Sequence, residues 1–347
     1  MHNDPLHSMI PLERYRTLIG TMVSQNDGWN ESFWLRFAAQ AVVMCPDSPP
    51  LLARRIREIA DALLEHSTWY QTLASPARFV VSAMLIQQNI PVARFSAEHA
   101  RIAEMMSGVG LRHGRFYETV AVLILLMSPD HQPSSMLEME RLKAIYDQMK
   151  RFHWWLTGPD DLPACAALAQ CPGSAEVLVA RVEEAYQQLH ATGVPTGEHL
   201  QTAANLLPLA GIDINQAVAR YRGLAAALTE RTGALGEAHY DPLALLTLLD
   251  HEPGLVIQRL TAVSNELDLF QPEEQGAANI LIASDLTFLD LVRCDRNRTP
   301  LTQTPAAAGM LRTLHAYHLA SAVLLSQVEP HLVQLVGAIG ASPGPYL

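Results

Sequence analysis

The chain has 347 residues, of which 49% are hydrophobic and 17% charged, a composition that indicates a globular protein and excludes a disordered one. Asp and Glu outnumber Lys and Arg by 35 to 24, so the formal net charge is -11, with no block of like charge. Nucleic acids and anionic membranes attract clustered cations, and this balance therefore predicts neither a nucleic-acid partner nor a membrane partner.

The N-terminal residues and the cysteines indicate in which cellular compartment the protein is expected. The first residues lack the basic region and apolar run of a secretory signal. The longest uninterrupted apolar stretch, residues 120–127, is far shorter than the roughly 20 residues that cross a bilayer. Cys165 and Cys171 are too far apart for a CxxC pair, and Cys45 and Cys294 stand alone, which predicts buried free thiols. We therefore expect a soluble cytoplasmic protein.

Helical patterns begin near the N-terminus and recur after prolines. Residues 1–70 are interpreted as an N-terminal helical cap with two or three helices, because terminal units of stacked arrays are usually atypical. Three later helices are predicted to start where proline occupies the first turn, at Ser75-Pro76, Leu162-Pro163 and Asp241-Pro242. Proline suits that turn because its missing N–H has no intrahelical partner there.

Two nearly identical heptapeptides lie 74 residues apart, Gln201-Thr-Ala-Ala-Asn-Leu-Leu207 and Gln275-Gly-Ala-Ala-Asn-Ile-Leu281. Such self-similarity indicates one structural unit used repeatedly, each copy covering an apolar face of its neighbour. Aligning the copies predicts helical modules at residues 71–157, 158–234 and 235–330, followed by a C-terminal segment, 331–347, with a flexible end. Since no stretch alternates like a strand, we predict an all-α fold of tandem four-helix modules, stacked as an irregular α-solenoid or a multi-helix bundle.

Several helix ends carry local signals. Gly108 and Gly193 are predicted to close helices, because glycine enters the left-handed region without steric cost. Ser135 followed three residues later by Glu138 is the pattern of a capping box at a helix start.

The last helix, residues 306–327, is predicted to be displaced or altered, because a Pro- and Thr-containing stretch, 296–305, precedes it. It carries more apolar residues than one face needs: Leu311, Leu314, Tyr317, Leu319 and Leu324. One interpretation is that this helix forms a homo-oligomer.

Two adjacent carboxylates stand at the end of the most unusual local sequence, Phe152-His-Trp-Trp-Leu-Thr-Gly-Pro-Asp-Asp161. Asp160 and Asp161 could act as an acid and a base, or hold a cation. A helix N-terminus, however, also needs capping side chains and favours negative charge. We favour the structural role and keep the catalytic one as an alternative.

The same segment contains His153 and two adjacent tryptophans, Trp154 and Trp155. We predict that the indole rings pack in the core or between repeats, as large aromatic side chains usually do. The alternative is that one ring lines a ligand groove.

Asn205 and Asn279 occupy the same place in the two heptapeptides, within otherwise apolar helices. A buried amide must be hydrogen-bonded, which predicts a recurrent bond to a neighbouring helix end or loop. Ligand contact is the alternative, although Val122 stands at the corresponding position of the first module.

The stretch Trp155-Leu-Thr-Gly-Pro-Asp-Asp-Leu-Pro163, followed by a helix rich in Ala and Leu, resembles a bacterial family known only as a domain of unknown function. The glycine-stopped helix and its successor, residues 193–207, and Tyr240-Asp-Pro-Leu-Ala-Leu-Leu246 are similar to that family as well. The resemblance spans roughly residues 12–289. It implies an all-helical fold without a known activity, so no catalytic residue can be assigned from it.

No motif predicts a cofactor or a metal. His315 and His318 could share a helix face, but no HExxH or CxxC pattern supplies further ligands. Our first hypothesis is a helical-repeat protein that binds a peptide, a protein or a small ligand. The competing hypothesis is a hydrolase-like enzyme that uses Asp160 and Asp161. The candidate binding residues are His153, Trp154, Trp155, Asp160, Asp161, Asn205 and Asn279.

Overall fold

The computed structural model describes residues 10–24, 29–65, 75–111, 116–128, 133–270, 276–298 and 305–328. This part of the chain contains fifteen α-helices and no strand, which confirms the predicted all-α fold. In chain order the helices are α1 (Ile10–Val23), α2 (Trp29–Val42), α3 (Pro49–Glu65), α4 (Arg78–Gln87), α5 (Val92–Gly108), α6 (Phe116–Leu126), α7 (Met136–Phe152), α8 (Leu162–Ala169), α9 (Ala175–Ala191), α10 (Glu198–Leu206), α11 (Ile214–Thr232), α12 (Tyr240–Leu246), α13 (Pro253–Phe270), α14 (Ala277–Arg298) and α15 (Pro305–Ser326). The predicted C-terminal segment, residues 331–347, lies outside the described residues.

The helices from α1 to α14 alternate between two environments. In α6 every residue except Tyr117 is buried, and α4, α8, α10 and α12 are buried almost as completely. The odd-numbered helices bury only one face, as α3 does with Leu52, Ile56, Ala60 and Leu63. Because a helix that is apolar on all sides belongs in an interior, each consecutive pair consists of one outer and one inner helix. No helix in the described ranges is long and apolar enough to cross a membrane.

The array of helix pairs closes on itself. Outer helices pack in chain order from α1 to α13, and the last pair returns to the first, where α1 and α2 both pack against α14. Two side-chain contacts secure this closure: Arg16 pairs with Glu266, and the Arg36 guanidinium donates to Asn279 Oδ1. The predicted stack of helices is therefore a closed array of helix pairs. The module boundaries themselves stay a prediction.

Helix α15 fills the middle of the array. It packs against α6, α8, α12 and α14, and against the 3-10 turn that follows α10. Gln40 Nε2 of α2 donates to Ser321 Oγ at 3.4 Å, and Gln88 Nε2, just after α4, lies 2.9 Å from His318 Nδ1. The predicted displacement of the last helix is explained by this central position.

The position of α15 corrects the argument for a homo-oligomer. Tyr317, Leu319 and Leu324 are buried against the surrounding inner helices, Leu314 is partly buried, and Leu311 is exposed. The apolar surplus of this helix is thus largely used within the chain. A homo-oligomer stays a prediction, without that support.

Arginines of the outer helices bind backbone carbonyls just after the ends of the inner helices. Arg141 donates to Cys171 O at 2.5 Å, Arg181 to Ile212 O at 2.8 Å, and Arg220 to Thr247 O at 3.4 Å. A backbone carbonyl at such a position has no partner within a helix, and a guanidinium supplies the donor that it needs. These arginines follow one another at intervals of 40 and 39 residues, so the structural repeat is one helix pair.

Replacing Arg181 by methionine is expected to lower the free energy of unfolding by about 1–3 kcal/mol, because a hydrogen bond from a charged donor is lost while the methylene packing is kept. Arg222 lies exposed on α11, and Arg222→Met is the control, expected to change stability by less than about 0.5 kcal/mol. Urea unfolding followed by circular dichroism measures both. Equal losses in the two variants would contradict the capping role.

Helix ends agree with the local signals except at one glycine. Glu138 N donates to Ser135 Oγ at 3.3 Å and Ser135 N to Glu138 Oε2 at 2.6 Å, so the predicted capping box is confirmed. Gly193, with φ +99°, adopts the left-handed conformation just after α9. At the end of α5 that conformation falls on Gly110, with φ +76°, and Gly108 is still helical. Helix α5 thus ends at Gly108 as predicted, but the left-handed conformation lies two residues later.

Candidate functional site

The chain between α7 and α8 makes a compact turn. Helix α7 ends at Phe152, and a 3-10 turn, Pro159–Asp161, leads directly into α8. Gly158 N donates to Asp161 Oδ2 at 3.1 Å, and Asp161 N donates to Gly158 O at 3.1 Å. These reciprocal bonds orient the Asp161 side chain inward at the start of α8.

Asp161 is the centre of a buried polar cluster. Its side chain is 7% exposed, and Oδ1 accepts from Gln201 Nε2 at 2.9 Å and from Asn205 Nδ2 at 3.3 Å. Burial raises the pKa of this carboxyl to about 7, with a further contribution from Asp160, although the hydrogen bonds oppose the shift. The cluster ties the start of α8 to the middle of α10.

Asp160 is half-buried and faces the end of the central helix. Its backbone carbonyl accepts from Gln327 Nε2 at 3.1 Å, immediately after α15. Burial raises the pKa of its carboxyl, and Glu198 acts in the same direction, whereas a hydrogen bond to the Asp160 backbone opposes them. Both neighbouring carboxyls therefore have raised pKa values, which acid–base chemistry would use, but the Asp161 oxygens already accept three N–H groups.

Asn205 and Asn279 each bind a carboxylate at a helix end. Asn205 donates to Asp161, whereas Asn279 Nδ2 donates to Asp268 Oδ1 at 2.6 Å, near the end of α13. Asn279 also accepts from Arg36. Among the described residues, Asn205 Oδ1 has no such donor. The predicted bond to a neighbouring helix end is present in both, yet the two asparagines belong to separate clusters.

The prediction that the tryptophans pack in the core is wrong. Trp154 is 71% and Trp155 63% exposed, and Phe152 beside them is exposed as well. The two indole rings meet edge to face, with centroids 5.9 Å apart. They lie on the surface because α7 has ended and the connecting turn runs outside the array. Phe152, Trp154 and Trp155 are called the aromatic patch below.

His153 anchors the aromatic patch to α9. Its Nε2 lies 2.7 Å from Glu183 Oε2, and its ring centroid is 4.2 Å from that of Tyr186 and 6.1 Å from that of Trp155. Glu183 and Tyr186, like Gln201, were not among the predicted site residues. Gln201 could have been found, because it opens the repeated heptapeptide, but nothing in the sequence links His153 to residues 30 positions later.

The predicted residues thus fall into three places: the aromatic patch with His153, the Asp161 cluster with Asn205, and Asn279 near the closure of the array. A cleft of about 160 Å³ between α11, α13 and α14 includes Asp268, the partner of Asn279. Within the described ranges, no three His, Cys, Asp or Glu side chains are grouped as metal ligands would be. All four cysteines are free, as predicted, but the prediction that they are buried holds for Cys165 alone, since Cys45, Cys171 and Cys294 are only partly buried.

The fold and these sites define a class of all-helical proteins in which closed, paired helices surround a central one. Residues 22–301 match the model of a family described as "Protein of unknown function (DUF4003)", and the chain belongs to this family. The match confirms the resemblance to a family of unknown function. The matched range contains helices α2 to α14, and α15 lies beyond it.

The "Uncharacterized protein YeaA" of Bacillus subtilis (strain 168) is similar to this chain, with 25% identity over 217 residues. The aligned region covers 62% of this chain and 64% of the relative, so the chain spans less than two thirds of that relative's length. No solved structure matches the chain.

Proposed function

We propose that this protein binds a peptide or a segment of another protein through the aromatic patch. The exposure of Trp154 and Trp155 carries the proposal, because two neighbouring indole rings in water forgo a large hydrophobic gain. Exposed apolar clusters of this kind mark interaction surfaces, and tryptophan is the residue type most enriched where binding energy concentrates.

The contacts that hold the residues around the aromatic patch in place favour a binding role. His153 is held by Glu183 and packs on Tyr186, while the following turn is closed by hydrogen bonds between Gly158 and Asp161. A surface that is ordered before binding loses less conformational entropy when a partner arrives. The indole rings are therefore presented on a fixed base.

Charge contributes little to this proposed surface. Lys150 and Arg151 end α7 next to the patch, while Glu183 and Glu184 lie on α9, which packs against α7. Because both signs flank the aromatic rings, we place the affinity in apolar contact and expect a weak dependence on salt.

The second candidate function is a hydrolase-like enzyme, which the raised pKa values of Asp160 and Asp161 favour. Against it stand the burial of Asp161 and the three N–H groups that its carboxylate already accepts. We propose that the Asp161 cluster supports the fold and that binding takes place in the cytoplasm, where the four free cysteines would stay reduced.

The proposal is tested with a displayed library of random peptides, selected on the full-length protein and counter-selected on a Trp154→Ser/Trp155→Ser variant. Peptides are expected that bind the wild type and lose at least about tenfold in affinity to the variant, since each buried indole contributes about 1 kcal/mol or more. Leu269→Ser removes an exposed apolar side chain from α13 and is the matched control, which should bind like the wild type. Selected peptides that bind all three proteins equally would overturn the proposal.

A further inference from the structure

Helix α14 carries a buried carboxyl group that the proposed binding function does not use. Asp285 is 1% exposed and faces Tyr317 and Ser321 of α15 and Gln40 of α2. These three side chains lie close enough to favour its charged form, yet neither carboxylate oxygen is in hydrogen-bond geometry with any of them. Gln40 Oε1 is likewise buried without a hydrogen-bond partner. A buried carboxyl group without a hydrogen bond to either oxygen therefore lies where the first pair, the last pair and the central helix come together.

A buried carboxylate without hydrogen bonds is unfavourable in its charged form. An unpaired carboxylate in a protein interior costs several kcal/mol, and the group normally takes up a proton instead. A proton on Asp285 turns one of its oxygens into a donor, which can serve Gln40 Oε1. The other oxygen stays an acceptor for the Tyr317 and Ser321 hydroxyl groups.

Among the described residues, no arginine or lysine forms an ion pair with Asp285. Tyr317 is the titratable side chain that faces it from α15, and burial, followed by the charge of Asp285, raises the pKa of its hydroxyl further. On α2 the guanidinium of Arg36 donates to Asn279. Other charged groups on or beside the helices packed against α14 pair elsewhere: Arg16 with Glu266, Arg259 and Arg293 with Asp290, His251 with Asp295, and Asp241 with His199. On α15 itself, His318 Nδ1 lies 2.9 Å from Gln88 Nε2, and burial lowers the pKa of both His315 and His318.

We propose that Asp285 is a proton-dependent lock for the central helix: its neutral carboxylic acid holds α15 in the array, and loss of the proton loosens α15. The atoms balance simply, since one proton passes from the carboxyl group to water and a carboxylate remains. In the open state Asp285 and the face of α15 with Tyr317 and Ser321 meet solvent, where the charged form is stable.

The raised pKa of Asp285 determines how the opening of α15 depends on pH. Burial raises the pKa of Asp285 to about 7 in the closed state, whereas a solvent-exposed Asp has a pKa near 4. Between these values only the closed state holds the proton, so each pH unit shifts the equilibrium about tenfold toward opening. The contribution of Asp285 is complete below about pH 4, decreases as pH rises, and levels off above about pH 7. His318 on α15 acts in the opposite direction, because burial lowers its pKa to about 4, so the contribution of Asp285 is the difference between the wild type and Asp285→Asn.

Hydrogen exchange of peptides from residues 305–328, read by mass spectrometry and corrected for intrinsic exchange rates, measures the opening of α15. From pH 5 to pH 7 the opening constant of the wild type is expected to rise about 50-fold more than that of Asp285→Asn, with a plateau above pH 7. Asp250→Asn removes an exposed carboxylate and should follow the wild type. An equal pH dependence in the wild type and Asp285→Asn would overturn the proposal.

A second variant keeps the test decisive if Asp285→Asn fails to fold. Ser321→Ala retains the carboxyl group but removes a hydroxyl that favours its charged form, so the plateau should move to higher pH. An unmoved plateau would contradict the lock. Measurements in sodium, potassium and tetramethylammonium chloride distinguish a proton from a bound metal cation. Protection of α15 that depends on Na⁺ or K⁺ and on Asp285 would replace the proton by a cation and overturn the proposal.

Discussion

Replacing Asn279 by leucine should lower the free energy of unfolding by about 3–5 kcal/mol, because two hydrogen bonds to charged groups are lost in the interior. Asn279 accepts from Arg36, whose side chain is fully buried, and donates to Asp268 at 2.6 Å. Leucine preserves the volume but serves neither charge. The loss should be larger than that from Asn205→Leu, which removes a single bond of 3.3 Å.

The position of Asn279 makes this loss a test of the closed array. Arg36 belongs to the first helix pair and Asn279 to the last, so their bond spans the point at which the array closes. Asn265 lies exposed on α13, and Asn265→Leu serves as the control. Urea unfolding gives the free energies, while hydrogen exchange should show that α1 and α2 lose protection first. A loss below about 1 kcal/mol, or one equal to that of the control, would contradict the closing role.

Local patterns predicted the helices well, because proline starts, capping boxes and apolar spacing act within a few residues. The start predicted at Leu162-Pro163, for instance, coincides with the first residues of α8. The size of the repeating unit was harder to see. Comparison of the two heptapeptides relates α10 to α14, which are inner helices two pairs apart, so it yielded a unit of four helices. The spacing of Arg141, Arg181 and Arg220 at 40 and 39 residues is the signal that would have indicated one pair.

Contacts between distant residues could not be predicted from the sequence. The apolar side chains of α15 indicate that this helix is buried. Burial against a second molecule and burial inside its own array of helices both agree with that pattern. The exposure of Trp154 and Trp155 could not be predicted either, since the residue type alone does not determine whether a ring in a turn faces the core or the solvent. The Asp161 cluster joins residues 40 and 44 positions apart, and only the packing of α8 against α10 brings them together.

Replacing Asp161 by asparagine should change stability in a way that depends strongly on pH. Burial raises the pKa of Asp161 from 3.8 to about 7, so the stability it contributes is fully present below about pH 4 and is lost as pH rises through 7. Asparagine resembles the protonated acid but places an N–H group opposite the Gly158 N–H or the Gln201 amide. The variant should therefore be less stable than the wild type near pH 4 by about 1–3 kcal/mol. From pH 4 to pH 8 its relative stability should improve by about 4 kcal/mol.

Asp160→Asn is the matched comparison, because Asp160 is adjacent but less buried, and its contact with Gln327 uses the backbone carbonyl, which the substitution keeps. Thermal unfolding measured at each pH unit from 4 to 8 should show a much smaller pH-dependent change for this variant. If Asp161 supports the fold, Asp161→Asn will bind peptides selected on the aromatic patch as the wild type does at any pH where both are folded. A stable Asp161→Asn protein with unchanged pH dependence would show that the carboxyl is charged in the folded state, and the catalytic alternative would then regain its main requirement, an ionised base beside a neutral acid.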